Sequence, residues 1–464
     1  MKVTVHTFGC KVNTYDSGLI QKNLTEAGFG LASSADQKGL PQIHVLNTCA
    51  VTAEATKQAV REIRKIKANN PDAKIIVTGC SAQVDTGSFD QLPSVDLVVA
   101  NSHKGLLPYL LNQHLKGELT EKVFKSNIFR KEDLEMGGGL EEAHSRSFLK
   151  IQDGCNSFCS FCIIPYARGK SRSIPVQELV KRVQELERDQ VQEVVLTGVH
   201  IGDYQDETST SAASAGLEGL IETLLQKTKV PRIRLTSLEP IELSERLLEL
   251  FQDPRLCPHF HMSIQSSSDS VLSGMKRKYG RQEVEAALEQ IATRVPGAFV
   301  GMDVIAGFPG ETETHFEETF ESLSKSPWNR IHVFPYSERK GTRAEVMPEA
   351  VPWAERKHRA SLLRQLSLQR YQITAQKQMG ELKLALPLLK KTKLKAENKT
   401  LTFLSRDYWN IEVPVKQFDA QSPQERWLRI TGYREGGSAA NPEGSLTGEV
   451  VAEARPEILV GAHG

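Results

Sequence analysis

Apolar and polar positions alternate along the chain in two distinct textures. VTVHTF (3–8), IHVLNT (43–48) and IIVTG (75–79) are short runs of apolar and β-branched residues, the pattern of buried strands. Between the last two lies AEATKQAVREIRKIKA (53–68), whose apolar residues recur at helical spacing. This order predicts a small parallel α/β domain over residues 1–115. Residues 116–145 are charged, hold three glycines at 137–139 and read as a connecting segment.

The α/β alternation resumes over residues 146–372. FLKIQ, EVVLTG, RIRLTS, HFHMSIQ, GMDVIAG and RIHVFPY are the candidate strands, with helices such as Val176–Arg188 and Arg281–Arg294 between them. Repeated βα units on this scale predict a complete or partial barrel of the TIM kind. QDETSTSAASAG (205–216) is polar, small and expected to be a flexible surface loop. After a long helix at about 353–378 the texture becomes pure β. LKLALPLL, KTLTFLS, YWNIEVPV and RWLRITGY predict a small antiparallel barrel or sandwich over 373–455, with a turn-rich stretch at 436–444.

Composition changes this picture little. The 464 residues allow two or three domains, and 39% hydrophobic with 25% charged residues is ordinary for a globular chain. A net charge of +1 means that a nucleic-acid partner must be met by local basic patches. The chain opens without a secretion signal and contains no run of about 18 apolar residues, so a cytoplasmic protein with no membrane partner is expected. There, seven cysteines favour metal binding or catalysis over a disulfide framework.

Three of them, Cys155, Cys159 and Cys162, stand in DGCNSFCSFCIIPYARG. A structural zinc takes four protein ligands, and no fourth Cys or His lies nearby. A four-cornered iron–sulfur cluster held by three thiolates keeps one iron open for chemistry. The alternative of three small buried hydrophobes is weak, because such clustering is rare. The Cys-x3-Cys-x2-Cys spacing, with Phe161 before the last Cys, resembles the radical S-adenosylmethionine family. That resemblance implies a 4Fe–4S cluster at the three cysteines. The open iron would chelate the amino and carboxylate groups of S-adenosylmethionine, which electron transfer then cleaves to a 5′-deoxyadenosyl radical.

Cys10, Cys49 and Cys80 each follow an apolar run, with sequence spacings of 39 and 31 residues. In a parallel α/β sheet the strand C-terminal ends share one edge, so these thiols can converge. A second cluster, again with one iron free, is the reading; Cys257 has no such partners and is read as structural. Two three-cysteine sites, an α/β amino-terminal domain, a radical core and a β tail resemble the methylthiotransferases over essentially the whole chain.

Within that family, FGCKVN (8–13), RGKSRS (168–173), MKRKY (275–279), DVIAGFPGET (303–312) and HVFPYS (332–337) look most like the type that acts on threonylcarbamoyladenosine of transfer RNA. After that first Cys the type acting on isopentenyladenosine usually carries Gln-Met-Asn and the type acting on a ribosomal protein Pro-Lys-Asn, where this chain has Lys11, Val12 and Asn13. Ser267 replaces a common glycine, and Lys340 and Arg343 replace two loop prolines; none of these is an expected ligand.

The resemblance implies insertion of a methylthio group at C2 of N6-threonylcarbamoyladenosine, position 37, in the anticodon stem-loop. Two S-adenosylmethionine molecules would be consumed, one for the methyl group and one for the radical. The expected cofactors are two 4Fe–4S clusters and S-adenosylmethionine, and the expected electron donor is a flavodoxin or ferredoxin. Thr197 and Gly198 match the site meeting the amino group of S-adenosylmethionine. Ser237, Glu239, Ser263 and Gln265 fall at later strand ends, the catalytic face of a barrel. Gly307 and Gly310 match the stretch flanking the adenine. His200 also follows a strand end and is read first as a satisfied structural histidine.

GFPGET lacks the lysine and spacing of a phosphate loop. KRKYGR (276–281), RGKSR (168–172) and LLKKTKLK (388–395) offer phosphate contacts. The β tail resembles the RNA-binding TRAM domain, in which Tyr408, Trp409 and Trp427 are candidates for base stacking, with core packing as the alternative. The competing class is a redox-sensing iron–sulfur RNA-binding protein, against which the open iron at each trio speaks.

Overall fold

The computed structural model describes residues 1–32, 43–131, 145–388, 400–414, 424–437 and 441–451. The glycine run at 137–139, most of the lysine-rich run at 388–395 and the centre of 436–444 lie outside these residues.

The amino-terminal sheet is parallel and six-stranded. Its order is Gly30–Leu31, Lys2–Thr7, Ile43–Thr48, Lys74–Gly79, Leu97–Ala100 and Val123–Phe124. Every residue of Ile43–Thr48 is buried, as expected for a central strand covered on both faces by helices. Thr52 caps the helix Ala53–Asn69 by accepting a hydrogen bond from Ala55 N. Part of the segment expected to be a connector belongs to the sheet. Val123–Phe124 forms its last strand, and Ile128 is buried against the core. A two-residue strand is too short to leave an alternation in the sequence.

The central region is a partial barrel. Arg146–Lys150, Glu193–Thr197 and Arg232–Leu235 form one parallel group; Ser237–Leu238, His259–Gln265, Phe299–Ala306 and Arg330–Pro335 form the next. The chain passes between the groups through Thr236. The sheet thus curves without closing, and the helix Trp353–Gln376 lies along its last strand, with Ser367 Oγ accepting from Ile331 N. The stretch at 205–216 is more ordered than expected. Asp206 is buried and accepts from Val176 N and Thr208 N, and Ala212–Ala215 forms a helical turn.

The carboxy-terminal strands close a five-stranded barrel in the order Leu382–Pro387, Thr400–Ser405, Asn410–Pro414, Ser445–Val450, Arg426–Arg434. Trp409 is buried among Phe403, Ile411 and the central region's Phe299 and Tyr371, so it is core and not a stacking platform. A buried charge cluster joins this barrel to the partial barrel. Glu193 accepts from Arg146, Arg232 and Arg234 at 2.6, 2.7 and 3.0 Å. Arg232 also donates to the carbonyls of Leu404 and Ser405. The three guanidinium groups hold the Glu193 carboxyl well below its ordinary range despite complete burial. Among the described residues no helix is long and apolar enough to cross a membrane.

Candidate active site

Cys10, Cys49 and Cys80 follow the strands ending at Thr7, Thr48 and Gly79, side by side on one sheet edge. The loops bearing them are bolted together. Asn13 donates to the carbonyls of Phe8 (2.8 Å) and Thr48 (3.0 Å), Asn47 donates to Asn13 O, and Ser81 Oγ donates to Cys49 O. Gly9 and Gly79 precede two of the cysteines at φ +88° and +95°. A Cβ at Gly9 would stand 2.5 Å from Cys49 Sγ, and one at Gly79 would stand 2.4 Å from the Thr48 backbone. Only glycine allows this approach.

Cys155, Cys159 and Cys162 sit in the loop after Gln152–Asp153 and are half-buried. His200 Nδ1 lies 3.9 Å from Cys155 Sγ, while its Nε2 shares a 2.5 Å hydrogen bond with Glu242. Arg277 Nη1 donates to Cys159 Sγ (3.3 Å) and to Glu239 (2.7 Å); its Nη2 donates to Ser263 O (2.7 Å). Burial pushes the thiols of Cys49 and Cys162 up to about 12 and also raises Cys10 and Cys159. Nearby cations oppose it, Arg168 at the first trio and Arg277 at the second. For Cys155 burial is outweighed by hydrogen bonds from His200 and Ser157, and its thiol is lowered. His200 itself is pushed up to about 11, because Cys155 and Glu242 outweigh its burial. His200 thus stands between Cys155 and Glu242, a hydrogen-bonded histidine beside the second trio.

A cavity of about 510 Å³ runs along the open side of the partial barrel. Cys10, Cys49 and Cys80 line it together with Thr197, Gly198 and Ser237. It continues past His261 and His332 to His259, Phe299 and Arg330, where Tyr408 of the carboxy-terminal barrel closes it. Of the other expected residues, Glu239 and Ser263 surround the second trio through Arg277. Gln265 takes φ +63° where the register shifts against the next strand, a bulge that re-aims its side chain. At Gly307 the N–H meets Glu311, and a Cβ there would strike the Arg356 side chain.

The basic runs also divide. Arg168 and Arg277 are internal, leaving Lys170, Lys276 and Lys278 exposed. Arg168 binds Asp153 (2.9 Å), Asp16 (3.0 Å) and Asn13 (2.6 Å), while Lys150 and Lys104 complete the shell of Asp16 at 2.7 and 2.9 Å. This buried cluster fastens the amino-terminal sheet to the barrel, and so sets one trio against the other. Its signal in the sequence was a lysine within the apolar strand FLKIQ and an aspartate on a helix beginning at Lys11. Phe129, Phe158 and Tyr166 form a partly exposed aromatic group with centroids about 6 Å apart.

Residues 149–323 match the Radical SAM superfamily, and residues 2–100 match the uncharacterized protein family UPF0004. Threonylcarbamoyladenosine tRNA methylthiotransferase MtaB of Aquifex aeolicus is 36% identical over 400 residues, covering 86% of this chain and 95% of its own. The chain belongs to the threonylcarbamoyladenosine tRNA methylthiotransferase family. The MtaB of Rickettsia prowazekii is 40% identical over 79% of this chain and 82% of its own. A tRNA-2-methylthio-N(6)-dimethylallyladenosine synthase of Corynebacterium urealyticum is 32% identical over 75% of this chain and 65% of its own. The fold also resembles the radical S-adenosylmethionine methyltransferase TsrM of Kitasatospora setae, with TM-score 0.54 and 15% identity over 74% and 75% of the two chains.

Family membership makes the chain a radical S-adenosylmethionine transferase whose cofactors are S-adenosylmethionine and two 4Fe–4S clusters. The residues present fit that requirement. The two trios account for six of the seven cysteines, all free thiols, and the seventh, Cys257, is buried away from both.

Proposed function

We propose that this chain replaces the C2 hydrogen of N6-threonylcarbamoyladenosine, at position 37 of transfer RNA, with a methylthio group. The observation that carries the reading is the shared cavity, which places Cys10, Cys49 and Cys80 on the same walls as Thr197, Gly198 and Ser237. In this reading Cys155, Cys159 and Cys162 ligate the cluster that meets S-adenosylmethionine, and Cys10, Cys49 and Cys80 ligate the auxiliary one. Bound there, the cofactors supply an electron, a hydrogen-abstracting radical and a held sulfur. Arg277 fixes Cys159 and Glu239 relative to each other; His200 orients Cys155.

Thr197, Gly198, Ser237, Glu239, Ser263 and Gln265 surround the S-adenosylmethionine site, and the adjoining cavity holds the target base away from water. Residues 1–115 thus provide the sulfur-holding domain, 146–372 the radical core and 373–455 an RNA-binding barrel. Exposed Lys170, Lys276 and Lys278 supply phosphate contacts, and Phe158 with Tyr166 offers an aromatic surface for an unpaired loop base. A flavodoxin or ferredoxin delivers the electron. Mass spectrometry of transfer-RNA nucleosides tests the assignment: cells lacking the protein should lose methylthio-threonylcarbamoyladenosine and retain its unmethylthiolated precursor. An unchanged nucleoside profile rejects the substrate.

A further inference from the structure

The cavity has a chemistry beyond its thiols. Lys11, which follows Cys10, lines it together with Thr236, His259, His261, Arg330 and His332. Most of its charged groups are already paired. Arg168 is spent on Asp153 and Asp16, Arg330 on Glu443 at 2.9 Å, and His261 on Asp303 at 2.9 Å. Lys11 has no carboxylate or hydrogen-bond partner among the described residues. Two buried polar atoms of cavity-lining residues are also unpartnered, Thr236 Oγ1 and Nδ1 of His259, a residue only 2% exposed. His259 stacks on Tyr408 with centroids 3.8 Å apart, which makes an aromatic flank.

The charge of Lys11 is felt by three residues of the same cavity. Burial first, then Arg234 and Lys11, push His259 well below its ordinary value. Burial also pushes His332 down to about 4, with Arg330, His261 and Lys11 adding to the effect. Burial works against ionisation of the Tyr408 phenol, yet it is drawn down, with Lys11 the largest opposing influence. Lys11 lines the same cavity as these three residues. Buried polar atoms without partners, such as Thr236 Oγ1 and His259 Nδ1, carry a desolvation cost that a hydrogen-bonding ligand removes. The partly exposed Lys11 lies in the same cavity to meet the ligand's charge.

We propose that Lys11, with Thr236 and His259, forms a subsite for a carboxylate-tipped, hydrogen-bonding substituent, and that this subsite reads the threonylcarbamoyl arm on N6 of the target adenosine. The inference rests on the substrate proposed above and names how it is selected. Lys11 pairs with the arm's carboxylate; Thr236 and His259 meet its hydroxyl and urea groups. A purely apolar arm would leave all three without partners, and a site built for hydrogen bonding rejects such an analogue strongly.

The test is equilibrium binding of anticodon stem-loop RNAs to the full-length, cluster-loaded protein, read by fluorescence anisotropy. One RNA carries N6-threonylcarbamoyladenosine; the second carries the same arm with its carboxylate converted to the neutral carboxamide; the third carries isopentenyladenosine. The wild-type protein should prefer the acid over the amide by at least about tenfold in Kd. Lys11→Gln should remove most of that preference by weakening the acid RNA, and Lys11→Arg should keep most of it. Equal wild-type affinity for acid and amide, or equal losses on both RNAs in Lys11→Gln, overturns the subsite while leaving the substrate intact. Tighter binding of the isopentenyl RNA than of the acid RNA overturns the substrate reading and the subsite with it.

Discussion

Cys155, Cys159 and Cys162 lie within eight residues of one loop, whereas Cys10, Cys49 and Cys80 come from three separate strand ends. The local trio is shaped by short-range contacts, such as Cys162 N donating to Cys159 O and Ser157 N donating to Cys155 Sγ. The distributed trio depends on sheet register, on two glycines that permit close approach, and on the Asn13, Asn47 and Ser81 hydrogen bonds. One site is therefore written into a loop; the other is a property of a folded sheet. Damage to packing should harm the second before the first.

The largest effects separate the sites by ligand removal. Cys155→Ala should abolish both S-adenosylmethionine cleavage and methylthio transfer, with iron falling from about eight to about four per chain. Cys49→Ala should lose a similar amount of iron yet continue to cleave S-adenosylmethionine while making no methylthio product. Iron analysis with product quantification checks both, and equal loss of the two activities in Cys49→Ala would show that the sites are not functionally separate.

Global instability needs its own control, and Glu193 supplies one. Glu193→Gln removes the carboxylate from three buried arginines and should cost about 3–5 kcal/mol in denaturant unfolding, without favouring either trio. The pH dependence follows from the sign of the shift. Because the folded-state pKa of Glu193 is depressed, its stabilisation is present above the unfolded carboxylate value of about 4.3 and is lost as pH falls through the lower folded value. Wild-type stability should therefore decline below about pH 4, and that part of the decline should be missing in Glu193→Gln.

Much of this architecture was legible in the chain because its signals are local or repeated. The helices Val176–Arg188 and Arg281–Arg294 lie where apolar periodicity places them. The strand-then-cysteine repeat gave the distributed trio, since a parallel sheet needs no knowledge of side-chain contacts to align its strand ends. What escaped is tertiary. RIRLTS reads as a strand, but nothing in it says that Arg232 and Arg234 turn inward to share Glu193. KRKYGR and RGKSR read as surface charge, yet Arg277 and Arg168 are internal because buried carboxylates and thiols wait for them. The closing strand Ser445–Val450 was missed beside a turn-rich segment, and its pairing depends on distant partners.

The smallest predicted effect is the sharpest probe of the distributed trio. Gly9 and Gly28 lie in the same sheet domain with nearly equal backbone angles, φ +88° and +89°. A Cβ at Gly28 meets nothing within 4 Å, whereas one at Gly9 stands 2.5 Å from both Cβ and Sγ of Cys49. Alanine at either position carries a similar backbone penalty of about 1–2 kcal/mol. Only at Gly9 must the Cys49 thiol also move. Gly28→Ala should therefore lower the unfolding midpoint and leave iron content and product yield near wild type. Gly9→Ala should lower the midpoint and also reduce auxiliary iron and methylthio product several-fold, with S-adenosylmethionine cleavage retained. Identical product yields in the two variants would mean that the Cys49 loop yields freely, and that the distributed trio is less dependent on sheet packing than its geometry implies.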